Sequence, residues 1–220
     1  MKRRSLFTLA AALLASACFT LSPAAFAADE APDAFIKRLS DDVLASIKAD
    51  TAIRAGDTNR ILALVDTKIM PSVDFPRMAA AAVGPAWRQA TPEQQKRLEQ
   101  EFKLLLVRTY AGALAQVEDQ TISLKPMRAA PTDTEVVVRT EIRGRGDPIQ
   151  LDYRLEKTAG QGAGWRIYNL NVLGVWLVET YRSQFAPEIS SKGIDGLIAA
   201  LAERNKSNAS VSTAGAGKKS

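Results

Sequence analysis

The sequence predicts an α+β domain in which N-terminal helices pack on an antiparallel meander of about four strands and C-terminal helices follow. Two changes in hydrophobic period carry this prediction. Apolar residues recur every three to four positions up to about residue 118, alternate with polar residues to about residue 172, and return to helical spacing beyond residue 174. A meander with one apolar face must bury that face, so we expect the helices to cover the sheet.

The N-terminal helices are each marked by an apolar stripe and a stop signal. The first stripe is formed by Phe35, Leu39, Val43 and Ile47. This helix ends before Gly56-Asp57, and a second run begins at Ile61 and stops before Pro71. A long third helix starts at Thr91-Pro92-Glu93-Gln94, because threonine caps, proline suits the first position and glutamine stands three residues after the cap.

Strict alternation predicts the strands. One side of a first strand presents Val136, Val138, Thr140 and Ile142, and one side of the next presents Ile149, Leu151, Tyr153 and Leu155. Ile122 and Leu124 predict a strand before these two, and residues 165–172 predict one after. Helical spacing returns from Val175, and a last helix around residues 194–201 is expected after a break at Pro187.

The N-terminus has the layout of a secretory signal peptide. A cationic start precedes an uncharged apolar run over residues 6–21, and Ala25-Phe26-Ala27 offers a small-x-small cleavage motif. We expect cleavage after Ala27 and a periplasmic protein, exported by the Sec route or, since Arg3-Arg4 fits a loose twin-arginine pattern, by that route. Cys18 follows an imperfect lipoprotein box, which leaves lipidation as an alternative.

The rest of the chain divides into a domain over residues 28–205 and a tail over residues 206–220. The tail is rich in Ser, Ala, Gly and Lys and is expected to be disordered and basic. Leader and tail hold six of the 29 Lys and Arg residues, so the domain sets 23 cations against 24 acids and carries a net charge of −1. The basic pI therefore belongs to the ends of the chain, and no nucleic-acid partner is expected.

Reactive side chains are scarce. There is no histidine, and Cys18 is the single cysteine, which excludes a Ser-His-Asp triad, a Cys-His pair and a thiolate or imidazole zinc site in the domain. Adjacent acids such as Asp41 and Asp42 point in different directions on a helix, and the glycine-rich segment 160–164 joins two strands, unlike a phosphate-binding loop. We expect no catalytic residue, no metal and no cofactor. The apolar content suits either a filled core or a pocket, which periodicity does not separate.

Five segments, taken in order, resemble the MlaC family, the periplasmic phospholipid shuttles of the Mla pathway, also called the toluene-tolerance auxiliary family. The segments are residues 86–94 (AWRQATPEQ), 109–114 (TYAGAL), 151–155 with 165–169 (LDYRL, WRIYN), 181–185 (YRSQF) and 193–197 (GIDGL). The resemblance spans residues 32–202. Departures are local: Asn169 stands where the family usually has aspartate, and Leu173 and Trp176 stand where glutamate and serine are common.

The resemblance implies a carrier that holds phospholipid acyl chains in an apolar pocket between sheet and helices, with phospholipid as cargo rather than cofactor. It implies transport between an outer-membrane lipoprotein–porin complex and an inner-membrane ABC transporter with its substrate-binding ring, which maintains outer-membrane lipid asymmetry. We expect a monomer whose pocket is lined by Tyr110, Val136, Val138, Ile142, Ile149, Leu151, Tyr153, Val172 and Val175. Ile149 follows Pro148 and Val175 follows Gly174, two residues that interrupt regular structure, so we expect these two side chains to form the mouth of the pocket. Tyr110 would turn its hydroxyl toward water.

Three other interpretations stay open at this point. A non-enzymatic periplasmic adaptor with a filled core would have the same periodicities. A carrier of another apolar small molecule would have the same composition. An enzyme would need a polar dyad inside the cavity, whereas Glu141 and Asp152 alternate onto the outer face of their strands.

Overall fold

One antiparallel sheet and a layer of helices on one of its faces make up the protein. The computed structural model describes residues 30–130, 132–158 and 162–216. The helices are α1 (Pro32–Ala49), α2 (Thr51–Arg54), α3 (Thr58–Leu64), α4 (Phe75–Val83), α5 (Pro92–Ala115) and α6 (Leu177–Ala216). The strands are β1 (Thr121–Leu124), β2 (Glu135–Arg143), β3 (Ile149–Lys157), β4 (Trp165–Val172) and β5 (Val175–Trp176), paired in that order. The α+β prediction is confirmed.

Local sequence explains where the helices begin. At α5 the Thr91 side chain accepts the Gln94 amide while the Gln94 side chain accepts the Thr91 amide, which is the expected capping box. Asp50 and Asp57 cap α2 and α3 in the same way, by accepting backbone N–H groups of the first turn. Between α3 and α4 the chain passes through a π-helical turn, Val65–Ile69, and a 3₁₀ turn, Met70–Ser72.

The sheet has one strand more than the alternation predicts. Leu173 and Gly174 both adopt positive φ, which turns the chain tightly enough for Val175–Trp176 to pair with the end of β4 before α6 begins at Leu177. The helical spacing expected from Val175 therefore starts two residues later. A two-residue strand is too short for alternation to reveal it.

The expected break at Pro187 is wrong. The backbone stays helical at Pro187, and α6 is interrupted at Gly193, where φ is 69° and ψ is −168°. Glycine adopts this conformation without the steric cost that a side chain would add. The interruption divides α6 into a first half before Gly193 and a second half after it.

The structure describes only part of the two segments expected to flank the domain. Residues 206–216, part of the tail expected to be disordered, are helical as the end of α6. The expected signal peptide over residues 1–27 and residues 217–220 lie outside the described part of the chain. Within that part, no helix combines the length and the apolar character needed to cross a bilayer.

The core lies between the sheet and the helices. One apolar cluster joins the covered face of the sheet to α1, α4, α5 and both halves of α6, and a smaller cluster joins α1, α2, α3 and the end of α5. The apolar stripes of the helices and the apolar side of the strands thus meet, as the sequence predicts.

Candidate functional site

Cross-strand pairing arranges the covered face of the sheet in rows. Because directly paired residues of an antiparallel sheet share a face, each row can be read from the register. The two central rows are Val136–Leu155–Ile167 and Val138–Tyr153–Leu170, the third is Leu124–Thr140–Leu151–Val172–Val175, and the last is Ile122–Ile142–Ile149. Eight of the nine residues expected to bind cargo therefore lie on one face of the sheet.

Among the residues expected to bind cargo, exposure is lowest at the centre of this face and highest at Ile149 and Val175. Val138 is 0% exposed and Tyr153 is 7% exposed at its centre. Leu151, Val172 and Ile142 are half-buried, while Ile149 is 40% and Val175 is 50% exposed at the far end. The apolar surface is therefore continuous from the middle of the core to solvent, and it emerges at the two residues expected to form a mouth.

An aromatic cluster on the helices belongs to the same apolar core as the centre of this face. Phe102 of α5 is 1% exposed, and its ring centroid lies 5.7 Å from Phe75, 4.9 Å from Tyr181 and 5.4 Å from Phe185. Tyr110, the ninth expected residue, is half-buried against the same core, and burial raises the pKa of its hydroxyl. Phe75, Phe102, Tyr181 and Phe185 are not among the residues expected to bind cargo, although their helical spacing marks them as apolar.

Polar groups on the covered face satisfy one another. The Thr140 hydroxyl is fully buried and donates to the Leu151 carbonyl oxygen at 2.5 Å. The Tyr153 hydroxyl lies within hydrogen-bonding reach of Ser40 on α1 and of Thr140, and burial raises its pKa to about 12. Tyr153 is therefore neutral at physiological pH and ties the sheet to α1. Residues far apart in the chain form this small polar cluster, so no sequence pattern predicts it.

The raised pKa of Tyr153 predicts a loss of stability in alkali. The unfolded tyrosine ionises near pH 10 and the folded one near pH 12, so its stabilising contribution is complete below pH 10 and is lost as pH rises to about 12, by about 3 kcal/mol in total. Tyr153→Phe should remove this contribution to the fall of the unfolding free energy with pH. Denaturant unfolding of both proteins between pH 9 and pH 12 tests it; identical slopes would contradict the burial of an unionised hydroxyl.

The outer face of the sheet is polar and holds the start of α6 in place. Asn169 is buried, donates to Glu179 Oε2 at 2.7 Å, and its Oδ1 accepts the Val178 amide at 3.2 Å. Arg154 forms an ion pair with Glu179 and stacks on Trp176 at 3.9 Å. These contacts fix the strand that carries Val175. Two of the three departures from the family pattern, Asn169 and Trp176, thus act together in one network.

Two open depressions occur elsewhere on the surface. One, of about 410 Å³, lies between the end of α4, the 3₁₀ turn Gly84–Gln89 and α6; the other, of about 250 Å³, lies between α1 and β1. None of the nine expected residues lines either of them. In the described ranges, no three His, Cys, Asp or Glu side chains form a group that could hold a metal ion.

Comparison with known proteins gives a consistent picture. The family model described as MlaC protein matches residues 37–203. The chain is 25% identical over 194 residues to the toluene tolerance protein ttg2D of Pseudomonas putida, covering 88% of this chain and 85% of that protein. It is 22% identical over 173 residues to the intermembrane phospholipid transport system binding protein MlaC of Haemophilus influenzae, covering 78% and 80%.

A solved structure is more similar in sequence. The phospholipid-binding protein from Ralstonia solanacearum, determined in complex with a phospholipid, is 49% identical, superposes with a TM-score of 0.77, and is matched over 80% of this chain and 98% of its own. The architecture described above is therefore shared with a protein that holds a lipid.

Proposed function

The chain belongs to the MlaC family, and from that premise we propose that it carries phospholipid across the periplasm, with the acyl chains bound between the sheet and the helices. Binding, not catalysis, is the proposed activity. The nine residues Tyr110, Val136, Val138, Ile142, Ile149, Leu151, Tyr153, Val172 and Val175 are the proposed contacts of the acyl chains.

The observation that carries this proposal is the continuity of the apolar face. A 16-carbon chain left in water costs on the order of 12 kcal/mol, at about 0.8 kcal/mol per methylene, so a carrier must hide whole tails. A face that runs from Val138 in the core to Val175 at the surface offers a dry path of suitable chemistry. The lipid-bound relative from Ralstonia solanacearum supports the assignment.

Entry of the tails requires the helices to move away from the sheet. Val138 of the sheet and Phe102 of α5 belong to one apolar cluster, so an acyl chain that separates these two side chains breaks no hydrogen bond between them. In this proposal the first half of α6 shifts about the interruption at Gly193, and the second half stays in place. The second half of α6 is held to α5 by the Asn205 side-chain amide, which donates to the Glu101 carbonyl oxygen at 2.9 Å.

The proposed partners follow from the family. We propose that the carrier takes and delivers phospholipid between an outer-membrane lipoprotein–porin complex and an inner-membrane ABC transporter with its substrate-binding ring. It would act as a monomer in the periplasm. The names of the curated relatives, one in phospholipid transport and one in toluene tolerance, support this assignment.

Native mass spectrometry of the purified periplasmic protein tests the proposal. We expect a mass increment of about one phospholipid per protein, identified after organic extraction, because the covered face is a single apolar region. A protein that is free of lipid as purified, and stays so after incubation with labelled vesicles, would instead support the adaptor interpretation. Extraction of a different apolar molecule would support another cargo.

A further inference from the structure

Large apolar side chains reach solvent at one place in the described part of the chain. Ile149 is 40%, Leu173 is 64% and Val175 is 50% exposed, and no other large apolar residue of known exposure within residues 30–208 is as exposed. They lie together, because Val175 pairs with Val172 on β4, and the Leu173 amide donates to the carbonyl oxygen of Gln150, the neighbour of Ile149, at 3.0 Å. We call these three residues the sheet tip.

Leu173 adopts an unfavourable backbone conformation to stand there. Its φ is 52°, the left-handed region that suits glycine or asparagine and costs a branched side chain conformational free energy. The turn is held by the Asn171 side chain, which accepts the Gly174 amide at 2.8 Å. An exposed leucine in a strained turn stabilises neither the fold nor the turn, and such strain points to a contact made outside the molecule.

The size and shape of the sheet tip favour a bilayer over a protein partner. A stable protein interface buries about 800 Å² on each partner, much more than three partly exposed side chains supply. A projecting turn of aliphatic residues can instead enter the acyl region of a membrane surface. The adjoining β2–β3 hairpin exposes Arg143, Arg145 and Asp147, and its arginines pair with Glu141, Glu118 and Asp119. This surface of both charges suits the phosphate and ammonium groups of a zwitterionic lipid.

The sheet tip is also continuous with the cargo face. Val175 ends the row that contains Leu151 and Val172, so a lipid tail leaving a bilayer at the tip would meet apolar side chains at every step. We propose that the sheet tip inserts into the surface of a phospholipid bilayer, with Leu173 as the anchoring side chain. The inference rests on the proposed function for its purpose but not for the contact itself.

Flotation with vesicles of phosphatidylethanolamine and phosphatidylglycerol tests the contact. Leu173→Asn removes the apolar side chain and eases the backbone, while Leu173→Met keeps an apolar side chain. We expect about tenfold weaker vesicle binding for Leu173→Asn and nearly unchanged binding for Leu173→Met. Leu173→Asn should also unfold at a higher denaturant concentration, so its weaker binding cannot be ascribed to misfolding.

A fluorophore gives an independent measurement, because Cys18 is the single cysteine and lies in the expected signal peptide. An environment-sensitive label at Gln150→Cys should shift to the blue on vesicle addition, and one at Lys192→Cys should not. Equal vesicle binding of wild type and Leu173→Asn, or no blue shift of the label at position 150, would overturn the inference. Phospholipid co-purified with each variant is measured separately, so failure of the proposed function is distinguishable.

Discussion

Replacing Val175 with glutamate is expected to abolish phospholipid co-purification while leaving the protein folded. Val175 is half exposed, so the free protein can keep a carboxylate there in water at little cost in stability. Once an acyl chain covers the position, the carboxylate must lose its water or the chain must leave, and an unpaired buried charge costs several kcal/mol. The amount of phospholipid that co-purifies with each protein molecule is therefore expected to fall more than tenfold.

Gln150→Glu is the matched control. It adds the same charge at the same end of the sheet, but Gln150 pairs with Glu141 on the outer face. We expect it to keep its phospholipid in the same native mass measurement, with circular dichroism confirming that both variants fold. If Val175→Glu retained lipid at the wild-type ratio, Val175 would not lie on the path of the acyl chains.

Phe102→Ala is expected to have the largest effect on stability. Phe102 contacts three other aromatic rings at the centre of the core, and truncation of a fully buried phenylalanine costs about 3–5 kcal/mol because it leaves a cavity. The cavity would lie where the proposed acyl chains enter, so lipid should fill part of it. Saturating phospholipid should therefore raise the unfolding temperature of Phe102→Ala by more than that of wild type.

Ile61→Ala is the control that separates a general loss of stability from a change in stabilisation by lipid. Ile61 is fully buried in the smaller cluster, away from the sheet, and its truncation should cost about 2–5 kcal/mol. Differential scanning calorimetry with and without phospholipid compares the three proteins. Lipid should stabilise Ile61→Ala by the same increment as wild type. An equal increment in Phe102→Ala would place the acyl chains away from the aromatic cluster.

Hydrophobic period and capping chemistry are local properties, and they were enough to predict most of the fold. Alternation from Val136 to Ile142 and from Ile149 to Leu155 placed β2 and β3 and their covered face, because successive side chains of a strand point to opposite sides. The capping box at Thr91 placed the start of α5. The lack of histidine in the sequence excluded catalysis that depends on histidine, and the five family segments identified the family.

The features that the sequence did not predict depend on contacts between segments far apart in the chain. The Leu173–Gly174 turn and β5 exist because the end of β4 pairs with the next residues, and the break at Gly193 depends on how each half of α6 packs on α5. The aromatic cluster around Phe102 and the burial of the Tyr153 hydroxyl beside Ser40 join residues far apart in the chain. A period reports which side of an element is apolar, but only packing in three dimensions decides what covers that side, and here it leaves the sheet tip uncovered.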